Sequence, residues 1–365
     1  MASPVGVGVI GAGTISDTYL ENLTSFADTD VLAVGDIVPE AAREKAAKYD
    51  VPAAGDVATV LEHPGVEIVV NLTIPAVHAE VATQVIGVGK HVWNEKPLAL
   101  DRASGERLLQ DAEAAGLLVG CAPDTFLGPG LQTACRLTEQ GMIGTPLTAL
   151  ALLQLPGPES WHPNPAFLYA AGAGPLFDLG PYYLTVLVQV FGSVSSVAAL
   201  GSKARERRVI GSGPKAGEEF DVTVPSHVSA LAQFESGQSA QAIFSFDSAL
   251  PRMLLEVNGT DATMLFPDPN YFDGAIAIRG RDSKDWETVA TTTAVSSRGT
   301  GVLDMARALR EGRPHRAQGA LGYHVLDTMI AIAESVESRA FVDVASSVDK
   351  PPLLPDEWDP MAKTV

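Results

Sequence analysis

The chain of 365 residues exceeds what one ordinary core serves, and its 46% hydrophobic content is ample for two domains. Its 44 acidic residues against 25 basic ones give a formal charge of −19 with no long run of like charges, which argues against nucleic acid and anionic membranes as partners and reads as a solvated acidic surface. Cys121 and Cys135 lack CxxC spacing and a neighbouring His cluster, so neither a disulfide framework nor a metal site is expected.

The apolar stretch before the first glycines is too short, and lacks the basic residues, for a signal peptide. No apolar run reaches membrane-spanning length, so a cytoplasmic location is expected. In the first third, β-branched runs predict strands at 5–11, 31–37, 67–73, 91–95 and 117–122. Helical spacing is found at 14–27, 39–49, 75–88 and 101–115, with Pro39 and Pro75 where a first turn tolerates proline. This alternation is the βαβ signature of a parallel sheet. After about residue 123 the texture changes: a helix at 125–140, a Pro- and Gly-rich stretch at 156–175 and a helical pattern at 178–191 precede alternating strands, among them 228–236, 239–247 and 252–260. Helical patterns return at 300–311 and 320–338, and the Pro-rich tail from Lys350 to Pro360 is expected to be extended.

Directly after the first strand stands Gly11-Ala12-Gly13-Thr14-Ile15-Ser16, a GxGxxG pattern with Ser16 for the last glycine. Gly11 suits a tight turn, Gly13 a close approach to a pyrophosphate, and the helix that follows offers free N–H groups and a favourable dipole. Asp36 ends the second strand 20 residues after Ser16, where a carboxylate accepts from a ribose diol and repels a 2′-phosphate; no Arg or Lys follows within six residues. NAD is therefore the expected cofactor. The competing role for Asp36 is a cap on the Pro39 helix. The fold class predicted is α/β: an N-terminal Rossmann parallel sheet over 1–123, then an α+β domain with a mostly antiparallel open sheet over 124–345, and a tail at 346–365.

Two further strand ends carry Thr73-Ile74-Pro75-Ala76-Val77-His78 and Glu95-Lys96-Pro97. With the glycine loop, these resemble the Gfo/Idh/MocA family over residues 5 to 345. The resemblance implies a substrate-binding second domain whose open sheet commonly mediates oligomerisation, hence a homodimer or homotetramer. It also implies cofactor contacts from Gly11, Gly13, Thr14, Ile15, Asp36, Thr73, Pro75, His78, Glu95 and Lys96, with Lys96 the active-site lysine. Lys96 lies beyond a strand's carboxyl end, where open α/β sheets bind ligands; the alternative is a solvated surface lysine.

The segment 172–188 is similar to the family's GGxxxDxGxH, with Asp178 at the aspartate and Tyr182 where many members carry histidine. Asp178 and Tyr182 are four apart and would share a helical face. Pro181 fits only a first turn, which predicts a helix starting near Asp178 and leaves Asp178 the further option of a simple N-cap. Tyr182 or Tyr183 could equally be core aromatics.

The chemistry expected is hydride transfer between NAD and a secondary alcohol or ketone carbon of a sugar, sugar derivative or cyclitol, by an NAD(P)-dependent sugar or polyol dehydrogenase or reductase. Tyr182 would exchange the proton, favoured as phenolate by the Lys96 ammonium, while Asp178 orients a neighbouring hydroxyl. Asp124, Trp161 and His162 are candidate substrate contacts, although a loop tryptophan also serves as a lid. His227 and His324 read as structural, and Arg298 is open to either reading. Two alternatives remain at this level: a redox-neutral glycosidase working by transient sugar oxidation, and a non-catalytic NAD-binding regulator.

Overall fold

In VGVGVI the apolar side chains alternate with glycine rather than with polar residues, so β1 (Val5–Ile10) can be buried on both faces, as a central parallel strand must be. The computed structural model describes residues 3–291 and 296–364 and places β1 inside a sheet. Around it follow α1 (Ser16–Leu23), β2 (Thr29–Gly35), α2 (Pro39–Tyr49), β3 (Ala53–Gly55), α3 (Val57–Leu61), β4 (Ile68–Asn71), α4 (His78–Gly87), β5 (His91–Asn94), α5 (Arg102–Ala115) and β6 (Val119–Cys121). The strands run parallel in the order β3-β2-β1-β4-β5-β6. Winding therefore reverses between β1 and β4, the place where such sheets open a ligand crevice at their carboxyl ends. β3 and α3 were absent from the sequence reading because three and five residues are too few to show a period.

The chain continues through α6 (Pro129–Glu139), β7 (Pro146–Gln154), α7 (Gly174–Phe191), β8 (Val194–Ser202), β9 (Arg207–Val209), β10 (Glu219–Asp221), β11 (His227–Phe234), β12 (Ser239–Ser245), β13 (Arg252–Gly259), β14 (Ala262–Phe266), β15 (Ile276–Gly280), β16 (Glu287–Val289), α8 (Thr300–Glu311), α9 (Gly319–Ser338) and β17 (Val342–Asp343). Among the described residues, a second sheet has the order β16-β15-β14-β13-β7-β12-β11-β8-β17, parallel only between β7 and β12. β9 and β10 pair separately. The helix α7 packs on β7, β11 and β12, and on β11 the alternate residues Val228, Ala230, Ala232 and Phe234 are buried. That period of two is what made these strands legible.

One expectation is corrected. The helix α7 begins at Gly174, a turn before Asp178, with Pro175 in the N-terminal position and Pro181 inside the helix. Every residue from Gly180 to Phe191 is buried. Burial of that apolar run offsets the roughly 3 kcal/mol that an interior proline costs.

The chain divides into two compact units, each assembled from separate stretches. One compact unit takes in the chain up to Pro129, a stretch ending at Leu326, and the tail from Pro351; the other includes the chain from Gly130 and the stretch Asp327–Lys350. In the first unit, Arg307 of α8 pairs with Asp28 at 2.7 Å, both buried, and donates to the Asp359 and Ala362 carbonyls. The tail is thus tied to the first unit. No helix among the described residues is long and apolar enough to cross a membrane.

Candidate active site

The turn after β1 accepts only glycine at its start. Gly11 has φ +105°, and a Cβ there would stand 2.6 Å from the Leu72 carbonyl oxygen. Gly13 and Thr14 are exposed, Ile15 is half-buried, and nothing lies within 4 Å of where a Gly13 Cβ would be. The backbone is therefore open to a close ligand. Ser16 takes the third glycine's place by being fully buried and folding its hydroxyl back onto the Gly13 carbonyl at 2.6 Å.

Asp36 lies just past β2, half-buried, accepting the Ala12 N–H (2.7 Å) on Oδ2 and the Val38 N–H (2.8 Å) on Oδ1. Val38, not Asp36, is the α2 N-cap, and Asp36 braces the glycine loop with one oxygen and the entrance to α2 with the other. Each carboxylate oxygen keeps a lone pair for a diol hydroxyl. An open loop backed by an anchored acidic acceptor fits a dinucleotide.

The ends of β4 and β5 are joined by a buried polar network that the sequence reading missed. Asn71 and Asn94 pair in register and are fully buried; Asn71 Nδ2 donates to Asn94 Oδ1 (2.6 Å) and to the His78 carbonyl (3.0 Å). Asn94 Nδ2 donates to the Leu98 carbonyl at 3.0 Å, and the Thr73 hydroxyl to Asn71 Oδ1 at 2.6 Å. The available signal was an asparagine closing each of two consecutive apolar runs, IVVN and HVWN. A polar residue at a position built for burial needs a partner.

His78 and Glu95, expected among the cofactor contacts, instead face inward. The His78 ring is buried with Nδ1 2.8 Å from the Pro97 carbonyl and Nε2 2.9 Å from that of Thr73. Glu95 is 9% exposed, accepting the Tyr19 hydroxyl at 2.9 Å and the Lys96 N–H at 3.0 Å. Thr73, Pro75 and Lys96 are half-buried around this network, and the Lys96–Pro97 peptide is cis.

Asp124, expected to meet substrate, is fully buried. Its Oδ2 accepts the Gly299 (2.9 Å) and Gly301 (3.0 Å) N–H groups at the start of α8, while Oδ1 and the Thr125 hydroxyl have no hydrogen-bond partner among the described residues. Burial pushes its carboxyl up to about 6.

In the second unit, Asp178 is half-buried and Tyr182 buried, one turn apart on α7. The neighbouring Tyr183 belongs to the core: it packs edge-on against Phe244, its hydroxyl lies 3.4 Å from Asp268 Oδ1, and burial raises its pKa strongly. Trp161 is 67% exposed, and His162 sits edge-on between it and Phe167. The turn just before them is anchored by a buried cluster that was not foreseen. Arg208 pairs with Glu159 and Asp247, and the Tyr169 hydroxyl also donates to Glu159. His227 on β11 lies 3.0 Å from the Ser229 hydroxyl, and His324 is fully buried on α9. Cys121 and Cys135 are buried free thiols.

Both parts of the chain match known proteins. Residues 5–122 match the model of the oxidoreductase family with NAD-binding Rossmann fold, and residues 131–265 match the GFO/IDH/MocA C-terminal domain. Trans-1,2-dihydrobenzene-1,2-diol dehydrogenase of Bos taurus is 25% identical over 276 residues, covering 75% of this chain and 77% of its own. Myo-inositol 2-dehydrogenase of Thermotoga maritima is 25% identical over 253 residues, covering 67% and 71%. A levoglucosan dehydrogenase solved with NADH and L-sorbose superposes with a TM-score of 0.81 at 20% identity, covering 94% of this chain and 100% of its own. The glycine loop, the anchored Asp36 and both matched domains make this chain a member of the NAD-binding Gfo/Idh/MocA oxidoreductase family.

Proposed function

We propose that the enzyme transfers a hydride between NAD and a secondary alcohol or ketone carbon of a sugar, sugar derivative or cyclitol. The observation that carries this reading is the Lys96 segment. At the carboxyl end of β5, residues 95 to 98 are each tied by a hydrogen bond: Glu95 N–H to the Asn71 carbonyl, Lys96 N–H to Glu95, and the Pro97 and Leu98 carbonyls to His78 and Asn94. A lysine on so constrained a backbone is suited to orienting a reacting group. The relatives' names, myo-inositol 2-dehydrogenase among them, agree with a polyol substrate.

Bound NAD supplies the hydride chemistry. Gly11, Gly13, Thr14, Ile15 and Asp36 would hold the dinucleotide, and the Lys96 ammonium would donate to the reacting oxygen and stabilise developing negative charge. Tyr182 would take the alcohol proton, Asp178 would accept from an adjacent hydroxyl, and Trp161 and His162 would contact the sugar. Replacing Lys96 by Ala or Tyr182 by Phe should each lower kcat about 100-fold or more while NADH still binds. Wild-type kcat in both variants would sink the assignment. Following NADH formation and aglycone release together on a glycoside panel separates net oxidation from redox-neutral cleavage.

The enzyme works in the cytoplasm as a homo-oligomer formed through the second sheet. That sheet's outer face holds a depression of about 470 Å³ lined largely by apolar residues, among them Leu200 and Leu231, 68% and 52% exposed. Light scattering that finds only monomers would remove this part of the reading.

A further inference from the structure

We infer that Tyr19 is a positioning residue for Lys96. This rests on the reading of Lys96 as the group that meets the reacting oxygen, and it adds a residue to which that reading assigns no role. Tyr19 is fully buried on α1, the helix that opens directly from the glycine loop. Its hydroxyl accepts from the Trp93 indole N–H at 3.3 Å and donates to Glu95 Oε1 at 2.9 Å. The other oxygen of that carboxylate accepts the Lys96 N–H at 3.0 Å.

One carboxylate therefore links the helix behind the pyrophosphate loop to the peptide plane that aims Lys96. Core packing alone does not require this arrangement. A phenylalanine would fill the same volume without burying a hydroxyl, an indole N–H and a carboxylate together, groups that stay in an apolar interior only when paired. The direction of the chemistry is also set. Burial and the negative charges of Glu95 and Asp124 push the Tyr19 phenol well above its ordinary pKa, so it acts as a fixed donor and carries no proton to or from substrate.

Removing the hydroxyl leaves Glu95 Oε1 buried without its donor. The carboxylate then turns toward other donors and releases the Lys96 amide, and the ammonium loses its defined direction.

Tyr19→Phe tests this with two readouts. The first is kinetic: kcat for the polyol substrate should fall about tenfold, while the NADH dissociation constant, read by fluorescence titration, stays within about twofold. In a Lys96→Ala background the same substitution should leave kcat unchanged, because Tyr19 acts only through that side chain. An equal loss in both backgrounds would show a merely structural residue and overturn the inference.

The second readout needs no turnover. With carbonyl-13C glutamate and 15N lysine, only the Glu-Lys junctions give a through-bond signal, and the chain has two, 44–45 and 95–96. Tyr19→Phe should move the 95–96 amide upfield and leave 44–45 in place; an unmoved 95–96 signal overturns the inference. Should Lys96→Ala prove fully active, the catalytic reading fails while this signal still decides whether Tyr19 orients the lysine. Glu95→Gln, which keeps the side-chain shape, serves the same comparison if the phenylalanine variant does not fold, read with carbonyl-13C glutamine in place of glutamate, since the chain has no other Gln-Lys junction.

Discussion

Two buried titratable groups pull stability in opposite directions between about pH 4 and 6.5. Asp124 is raised by burial from 3.8 to about 6, so within that interval the folded state holds a proton that the unfolded state has lost, and stability falls as the pH rises. His315 is lowered by burial from 6.5 to about 4 while its Nε2 lies 3.2 Å from the Val119 carbonyl; there the unfolded state gains the proton, and stability falls as the pH drops. Two pH units correspond to about 3 kcal/mol, so each slope is measurable although the two nearly cancel in the wild type. Urea midpoints at several pH values should show Asp124→Asn gaining on the wild type as pH rises and His315→Gln gaining as it falls. Parallel, flat difference curves would contradict both. The sequence placed Asp124 in a promising segment, but not beside the start of α8, because the contact joins residues far apart in the chain.

At the scale of elements, the approach of α8 to β5 is set by one missing side chain. A Cβ on Gly301 would stand 2.1 Å from Trp93 Cη2 and 2.9 Å from Asp124 Cβ, and Trp93 is fully buried with no room to yield. Gly301→Ala should therefore cost about 1–3 kcal/mol in chemical denaturation. Gly87, at the end of α4, is the control: nothing lies within 4 Å of its would-be Cβ, and Gly87→Ala should raise stability by about 0.5 kcal/mol. Equal effects would mean that contact with Trp93 does not decide the packing. Element type was readable where a period persisted, as on β11 and α5. It failed at the start of α7, where local proline chemistry and burial of an apolar run point to different boundaries.

For the whole molecule, the tail from Pro351 is part of the first unit's stability. Asp28 accepts from Arg307 and from the Thr364 N–H and hydroxyl, Arg316 donates to the Pro352 and Leu353 carbonyls, and the Trp358 ring lies 4.4 Å from the Arg307 guanidinium. Arg307→Met takes the cationic partner from a buried carboxylate and should cost about 3–5 kcal/mol, whereas pairing it with Asp28→Leu should cost much less, since the uncompensated charge is what the interior penalises. Urea denaturation of the three variants checks this. A double variant as unstable as the single one would place the loss in packing instead.

The sequence by itself determined the parallel sheet, the dinucleotide loop, NAD as the cofactor and the family, because each rests on residues close together in the chain whose spacing has a local physical cause. Gly11 needs its turn, Asp36 ends its strand, and Lys96 follows its own. Only the tertiary structure decided that His78 and Glu95 face inward, that Asn71 and Asn94 meet, that Tyr19 reaches Glu95 and that the tail returns to Asp28. A buried polar group takes whichever partner the packing brings, and that partner stands at no fixed distance along the sequence.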